Sequence, residues 1–295
     1  MDARIRELLR VGRCGSVARA LSVSVARLPL PGAQLVAFGI LGKPRGKPVD
    51  VEVERDGLSW ALDLRDDAHR LMFLGLYETD LRARVLERLP RGGTFVDVGA
   101  NVGFWSIPAA LQAGSEGRVV AFEPNPWAVA RLRRNTALNA GRALAPVELR
   151  DVAVGEEPRE LELFSYDLEA GASQATLQRG AVEAERPERV TVSVERLDDA
   201  IDARIDVLKI DVEGHEAAVL AGASRLFAEA PPRLVVLEVQ GALLAHAGAS
   251  AEGLVAHLES LGYAAVDGDG ALGRREVARP LPTNFFETVL FARAE

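Results

Sequence analysis

The stretch Phe95-Val-Asp97-Val-Gly99-Ala-Asn101-Val-Gly103-Phe104 constrains this chain more than any other. Its apolar start, Thr94–Val98, reads as a buried strand, and Phe104–Gln112 reads as a helix closed by Gly114. Between them, Gly99 and Gly103 allow a tight turn and a close approach of backbone to a ligand. A strand, a glycine loop and a helix in that order form the unit at which an open α/β sheet binds its ligand. The dinucleotide fingerprint needs a second glycine where Asn101 stands, so a pyrophosphate cradle is disfavoured. Asp97, at the strand end, suits a cationic group instead.

The same alternation continues downstream. Strands are expected at Arg118–Phe122, Val147–Arg150, Val190–Val194, Asp206–Ile210 and Leu234–Val239, with helices at Pro126–Asn139, His215–Leu220, Ser224–Ala228 and Ala251–Leu261. Asn125-Pro126 is a cap followed by proline in the first turn. Tyr263–Val266 and Phe286–Phe291 read as two final strands joined by a turn-rich connection. Such a pattern predicts an α/β fold with a mostly parallel sheet covered on both faces. Upstream, Val49–Arg55 and Leu58–Leu64 flank Asp56-Gly57, a strong hairpin signal. A helix is expected over Asp80–Leu89, ended by Pro90 and Gly92-Gly93. The expected division is residues 1–75, a helical and β-hairpin extension, and residues 76–295, the α/β domain.

Charge and composition remove other classes. The 295 residues carry a net charge of −8, a poor match to nucleic acid, whose phosphates need clustered cations. No apolar run approaches the ~20 residues of a membrane span. The one cysteine, Cys14, allows neither an intrachain disulfide nor a thiolate metal site, so a reducing, cytoplasmic setting is expected. Residues 1–30 differ, with six arginines against Asp2 and Glu7 and an apolar stripe from Ile5 to Val25. They fit a helix packed by its apolar face, with a transit peptide or a membrane-surface helix as alternatives. The basic face could dock a carrier protein or a second copy of the chain.

Two more acids follow in register. Glu123 ends the second strand in Ala121-Phe-Glu123-Pro124, where a carboxylate can accept hydrogen bonds from a ribose diol. Asp151, after the third strand, could accept from an adenine amine. Together with Asp97, Gly99 and Gly103 these residues resemble the FkbM-type family of S-adenosylmethionine-dependent methyltransferases. The likeness also rests on Arg150-Asp-Val-Ala-Val-Gly155, Leu208-Lys-Ile-Asp-Val-Glu-Gly-His-Glu216 and Val219-Leu-Ala-Gly222, and it extends from Leu76 to the C-terminus.

The resemblance implies a Rossmann-like seven-stranded methyltransferase fold ending in an antiparallel hairpin. It implies S-adenosylmethionine as cofactor, S-adenosylhomocysteine as product, and O-methylation of a small-molecule hydroxyl, on a sugar or secondary metabolite. Carried over by position, Gly99, Asn101 and Gly103 face the methionine part of the cofactor, with Asp97 acting through the loop and the ammonium. Glu123, with Pro124 beside it, holds the ribose, and Asp151 the adenine. Glu78, after Tyr77, matches a feature that packs over the cofactor. Ser173, in Gly171-Ala-Ser173-Gln174-Ala-Thr176, falls where acceptor contacts are expected.

An alcohol needs a base as the displacement proceeds, and His215 has the most suitable ordinary pKa. Asp211 is the second catalytic candidate, and Glu213 and Glu238 are candidate substrate contacts. With Glu216 these acids also suggest Mg²⁺. Successive strand residues point to opposite faces, so all four are not expected to converge, and no metal site is assigned. N- or carboxyl-methylation, an NAD-linked oxidoreductase and a non-catalytic binding protein remain the alternative readings.

Overall fold

A computed structural model describes residues 16–26, 33–42, 44, 48–168, 172–182, 185–266, 281 and 286–293. The chain divides into two units, one ending at Thr79 and one beginning at Asp80.

In the first unit, α1 (Ser16–Ala26) and α2 (Ala33–Leu41) precede a hairpin of β1 (Asp50–Arg55) and β2 (Leu58–Asp63). Asp56 and Gly57 both have positive φ, as the two-residue turn requires. The following helix, α3 (Asp67–Leu74), is not anticipated by the sequence pattern. Its Asp66 cap accepts the Ala68 and His69 N–H groups. Of the basic N-terminal stretch, residues 1–15 and 27–30 lie outside the described residues.

Helix α4 (Thr79–Leu86) starts at the last residue of the first unit, and the second unit continues with β3 (Thr94–Val98), α5 (Ser106–Ala113), β4 (Arg118–Phe122), α6 (Pro126–Leu138) and β5 (Val147–Arg150). The next segments are β6 (Ala153–Val154), β7 (Arg159–Ser165) and β8 (Glu188–Glu195), followed by α7 (Leu197–Ala200) and β9 (Val207–Ile210). The chain ends with α8 (Glu216–Ala221), α9 (Ser224–Glu229), β10 (Leu234–Gln240), α10 (Gly241–His246), α11 (Ala251–Ser260), β11 (Tyr263–Val266) and β12 (Phe286–Arg293).

Seven strands form one sheet in the order β11-β12-β10-β9-β3-β4-β5, with β12 antiparallel to both neighbours and the pairings from β10 to β5 parallel. That is the expected seven-stranded sheet with an antiparallel C-terminal hairpin. Chain order reverses between β3 and β9, the switch point at which open α/β sheets leave a crevice.

Strand alternation divides the core. Val96, Val98, Val120, Phe122, Leu208 and Ile210 face one layer, which includes Leu197, Leu220, Leu226 and Leu258. Ala121, on the other face, packs on Leu132 of α6.

The expected strand at Val190–Val194 exists but belongs to a separate sheet, β6-β8-β7. Strand β7 is not predicted from the sequence, although its residues alternate over Glu160–Leu163 and Leu163 packs with Val192 and Val194. The turn-rich connection at 267–280 and 282–285 lies outside the described residues.

Candidate functional site

Strand register gathers the charged residues. Asp97 pairs with Lys209 across β3 and β9, and Ala121 lies opposite Asp97 on β4. With a period of two, Glu123 and Asp211 continue this same face at the carboxyl ends. Leu237 pairs with Ile210, so Glu238 falls beside Asp211.

Asp97 is fully buried; its Oδ2 accepts from Ser106 Oγ at 2.5 Å, and its Oδ1 lies 3.8 Å from Lys209 Nζ. Lys209 donates at 2.9 Å to Asp211 and lies 5.9 Å from the centre of the Trp105 ring. Burial raises the Asp97 pKa, against the pull of Lys209 and Ser106. Asp97 Oδ1 and Asn101 Oδ1 are both buried and accept no hydrogen bond. Two such acceptors at a glycine loop suit a ligand that brings N–H donors.

The loop between them is held tightly. Gly99 and Ala100 donate to the Phe122 carbonyl at 3.0 and 2.9 Å. Gly99 has φ +86°, and a Cβ there would lie 1.8 Å from the Asp211 carbonyl oxygen. Asn101 takes φ +47°, a left-handed conformation that asparagine tolerates better than most residues.

Glu123 is buried and accepts the Asn101 N–H at 2.7 Å and the Asn125 N–H at 2.8 Å. It therefore ties the glycine loop to the start of α6, while each oxygen keeps one lone pair for a further donor. Burial lifts its pKa to about 7. Pro124 lies in the connection to Asn125, whose side chain caps Trp127 N–H and donates to the Leu168 carbonyl. Asp151 is exposed and pairs with Arg133 at 2.6 Å. Trp105 is buried, whereas Trp127 is 43% exposed. Glu78 belongs to the first unit, at φ +43°.

Asp211, Glu213 and Glu238 converge, each offering an oxygen within 4.8 Å of the others. Gln240 Nε2 donates to Glu213 at 3.2 Å and to Glu238 at 2.8 Å. Burial, then neighbouring Asp211, pushes the pKa values of both Glu213 and Glu238 well above the usual carboxylate range. A hydrogen bond with Asp211 adds to the rise at Glu238. Three such oxygens could take a hard cation. Here, however, Lys209 already compensates Asp211 and Gln240 bridges the two glutamates.

Glu216 is separate from this trio. Its Oε1 accepts the N–H groups of Val212 and Gly214, closing the turn before α8, and burial lifts its pKa to about 7.

His215 also turns elsewhere. Its Nδ1 lies 3.4 Å from Gln178 Nε2, and its Nε2 makes no hydrogen bond. A Cβ at Gly155 would lie 3.2 Å from that Nε2, while one at Gly222 would lie 2.0 Å from the Gly155 carbonyl oxygen. The glycines of the two motifs thus let α8 pack directly on the β6 connection, with the His215 ring in the same contact. Burial, with Arg159 nearby, lowers the His215 pKa to about 4.

The segment after β7 reaches the acids from another side. Thr176 Oγ1 donates to the Glu213 carbonyl at 2.6 Å, and Glu213 holds φ +52°. Ser173 lies in a short 3-10 turn, Ala172–Gln174, three residues before Thr176. Neither the Thr176 clamp nor the Gln240 bridge is foreseen from sequence. The i, i+2 spacing of Asp211 and Glu213 was the available signal.

The model of the methyltransferase FkbM domain matches residues 97–264. Methyltransferase sdnD of Sordaria araneosa is 30% identical over 165 residues, 46% of this chain and 62% of that protein. Methyltransferase 1 of Beauveria bassiana is 28% identical over 151 residues, 45% of this chain and 59% of that protein. The AMB antimetabolite synthetase AmbE of Pseudomonas aeruginosa is 29% identical over 187 residues, covering 51% of this chain but 8% of the synthetase. The similarity therefore spans less than two thirds of each relative. Among solved structures, methyltransferase FkbM from Methylobacillus flagellatus KT is similar over 77% of this chain and 55% of that one, at 18% identity and a TM-score of 0.41.

Proposed function

The chain belongs to the FkbM methyltransferase family, and on that premise we propose that it transfers a methyl group from S-adenosylmethionine to a hydroxyl of a small molecule. The observation that carries this reading is the contact of the Gly99 loop with Asp211, which brings a cofactor-type cradle against the acid trio. The stretch shared with an antimetabolite synthetase supports a secondary metabolite as acceptor, and a sugar hydroxyl is the other candidate.

The buried acceptors Asp97 Oδ1 and Asn101 Oδ1 fit the ammonium end of the cofactor. Glu123 would accept from its ribose, and Asp151, released from Arg133, from its adenine. Gly99 lets the loop close on the Asp211 backbone, and Gly103 lets it close on Ile107 and Leu132. When bound, the cofactor supplies an electrophilic methyl group, so the protein's tasks are alignment and proton removal.

Glu213 and Glu238 are the groups best suited to take the hydroxyl proton. Their raised proton affinity brings them nearer the working pH, as a general base requires. Lys209, bonded to Asp211, limits the negative charge that accumulates when Glu213 and Glu238 ionise. His215 is the weaker base, because burial keeps it neutral and its ring is turned to Gln178. Thr176 holds the Glu213 backbone and would place Ser173 on the acceptor side.

The test is calorimetric titration of S-adenosylhomocysteine into the native chain and into Asp97→Asn. Saturable binding that weakens about tenfold in the variant is expected, the loss of one hydrogen bond to a charged group. No binding to the native chain, with saturable NADH binding instead, would overturn the reading.

A further inference from the structure

At the opposite end of the sheet, where β9 and β10 begin, lies a cleft of about 780 Å³. Four arginines from separate parts of the second unit line it: Arg88 after α4, Arg204 before β9, Arg233 before β10, and Arg293 at the end of β12. Two acids, Asp206 and Glu229, share the lining. The local formal charge is therefore positive in a chain whose net charge is −8.

Both acids are engaged. Asp206 accepts the Thr94 N–H at 3.0 Å and lies 3.7 Å from Arg233, while Glu229 lies 3.5 Å from Arg225. Among the described residues, the side chains of Arg204 and Arg293 make no hydrogen bond or ion pair. Like charges around a concave wall repel one another and focus a positive potential, which a bound anion relieves. Arginine offers a planar fork of donors that matches phosphate oxygens. Pro232 and Leu234 give the cleft an apolar floor for the uncharged part of a ligand. Its volume is that of a small-molecule site.

We propose that this cleft is a second ligand site, distinct from the methyl-transfer crevice, and that it takes a phosphate- or diphosphate-bearing small molecule. Phosphate is favoured over a single carboxylate because it brings more charge and more acceptor oxygens to the guanidinium groups of Arg204 and Arg293. The site stands on the opposite strand ends from Gly99 and Asp211, so it does not depend on the acceptor assigned above.

The probe is inorganic pyrophosphate, titrated at low salt into the full chain by calorimetry. The comparison is a chain carrying Arg204→Ala and Arg293→Ala, neither of which removes a hydrogen bond of the fold. Saturable pyrophosphate binding is expected, weakened about tenfold or more in the double variant, with S-adenosylhomocysteine affinity and melting temperature unchanged. The proposal falls if binding is not saturable, if the double variant binds as the native chain does, or if pyrophosphate competes with S-adenosylhomocysteine. The last outcome would place the anion at the cofactor loop.

Discussion

The backbone of Gly99 lies so close to the Asp211 carbonyl that a Cβ at position 99 would stand 1.8 Å from its oxygen. Two loops, one after β3 and one after β9, thereby meet at the switch point of the sheet. Glycine-loop and acid-cluster geometry cannot vary independently.

Gly99→Ala adds both a left-handed strain and a clash with main chain, which cannot rotate away. We expect a loss of about 2–4 kcal/mol in stability, with S-adenosylhomocysteine binding abolished. Gly141→Ala is the comparison, because nothing lies within 4 Å of a Cβ there. It should stay within about 0.5 kcal/mol of the native chain. Chemical denaturation of both variants, with the calorimetric titration, checks the pair.

The choice of base is open to pH–rate measurement once a methyl acceptor is in hand. With Glu213 and Glu238 holding protons well above the usual carboxylate range, kcat should rise with pH as these two glutamates ionise. Glu238→Gln should remove that rise and lower kcat by about 10²-fold or more. His215→Gln should keep the rise and cost about 1–3 kcal/mol of stability through its packing on Gly155. Loss of the rise in the His215 variant alone would return the base to histidine.

Stability should depend on pH through Glu216. Its native pKa of about 7 exceeds the ordinary value of 4.5, so the native state binds more protons over that range. The contribution is complete below the unfolded pKa and is lost as pH rises through about 7, a loss of about 3 kcal/mol. Denaturation curves for Glu216→Gln, whose amide carbonyl can still accept from Val212 and Gly214, should show a flatter profile between pH 4.5 and 7.

Asp211, Glu213 and Glu238 invite a cation, yet Lys209 and Gln240 already engage them. Dialysis against EDTA should therefore leave kcat/KM within about twofold of the untreated enzyme. A loss of tenfold or more, restored by Mg²⁺, would make the three acids a metal site.

Much of the fold was legible in the sequence because its signals are local. Asp56-Gly57 demands its turn, Asn125-Pro126 opens its helix, and Thr94–Val98 followed by Gly99 predicts a strand and a ligand loop. The family motifs likewise marked Asp97, Glu123 and Asp211 before any contact was known. Strand β7 is placed by its antiparallel pairing with β8, which a short alternation at Glu160–Leu163 does not by itself reveal. Only tertiary structure decided where the site's side chains face. Register across β3, β9 and β10 brings Glu238 beside Asp211, while a turn of backbone sends the neighbouring His215 to Gln178. Sequence distance carries no record of such pairings, since each depends on strands that meet only after the chain has folded.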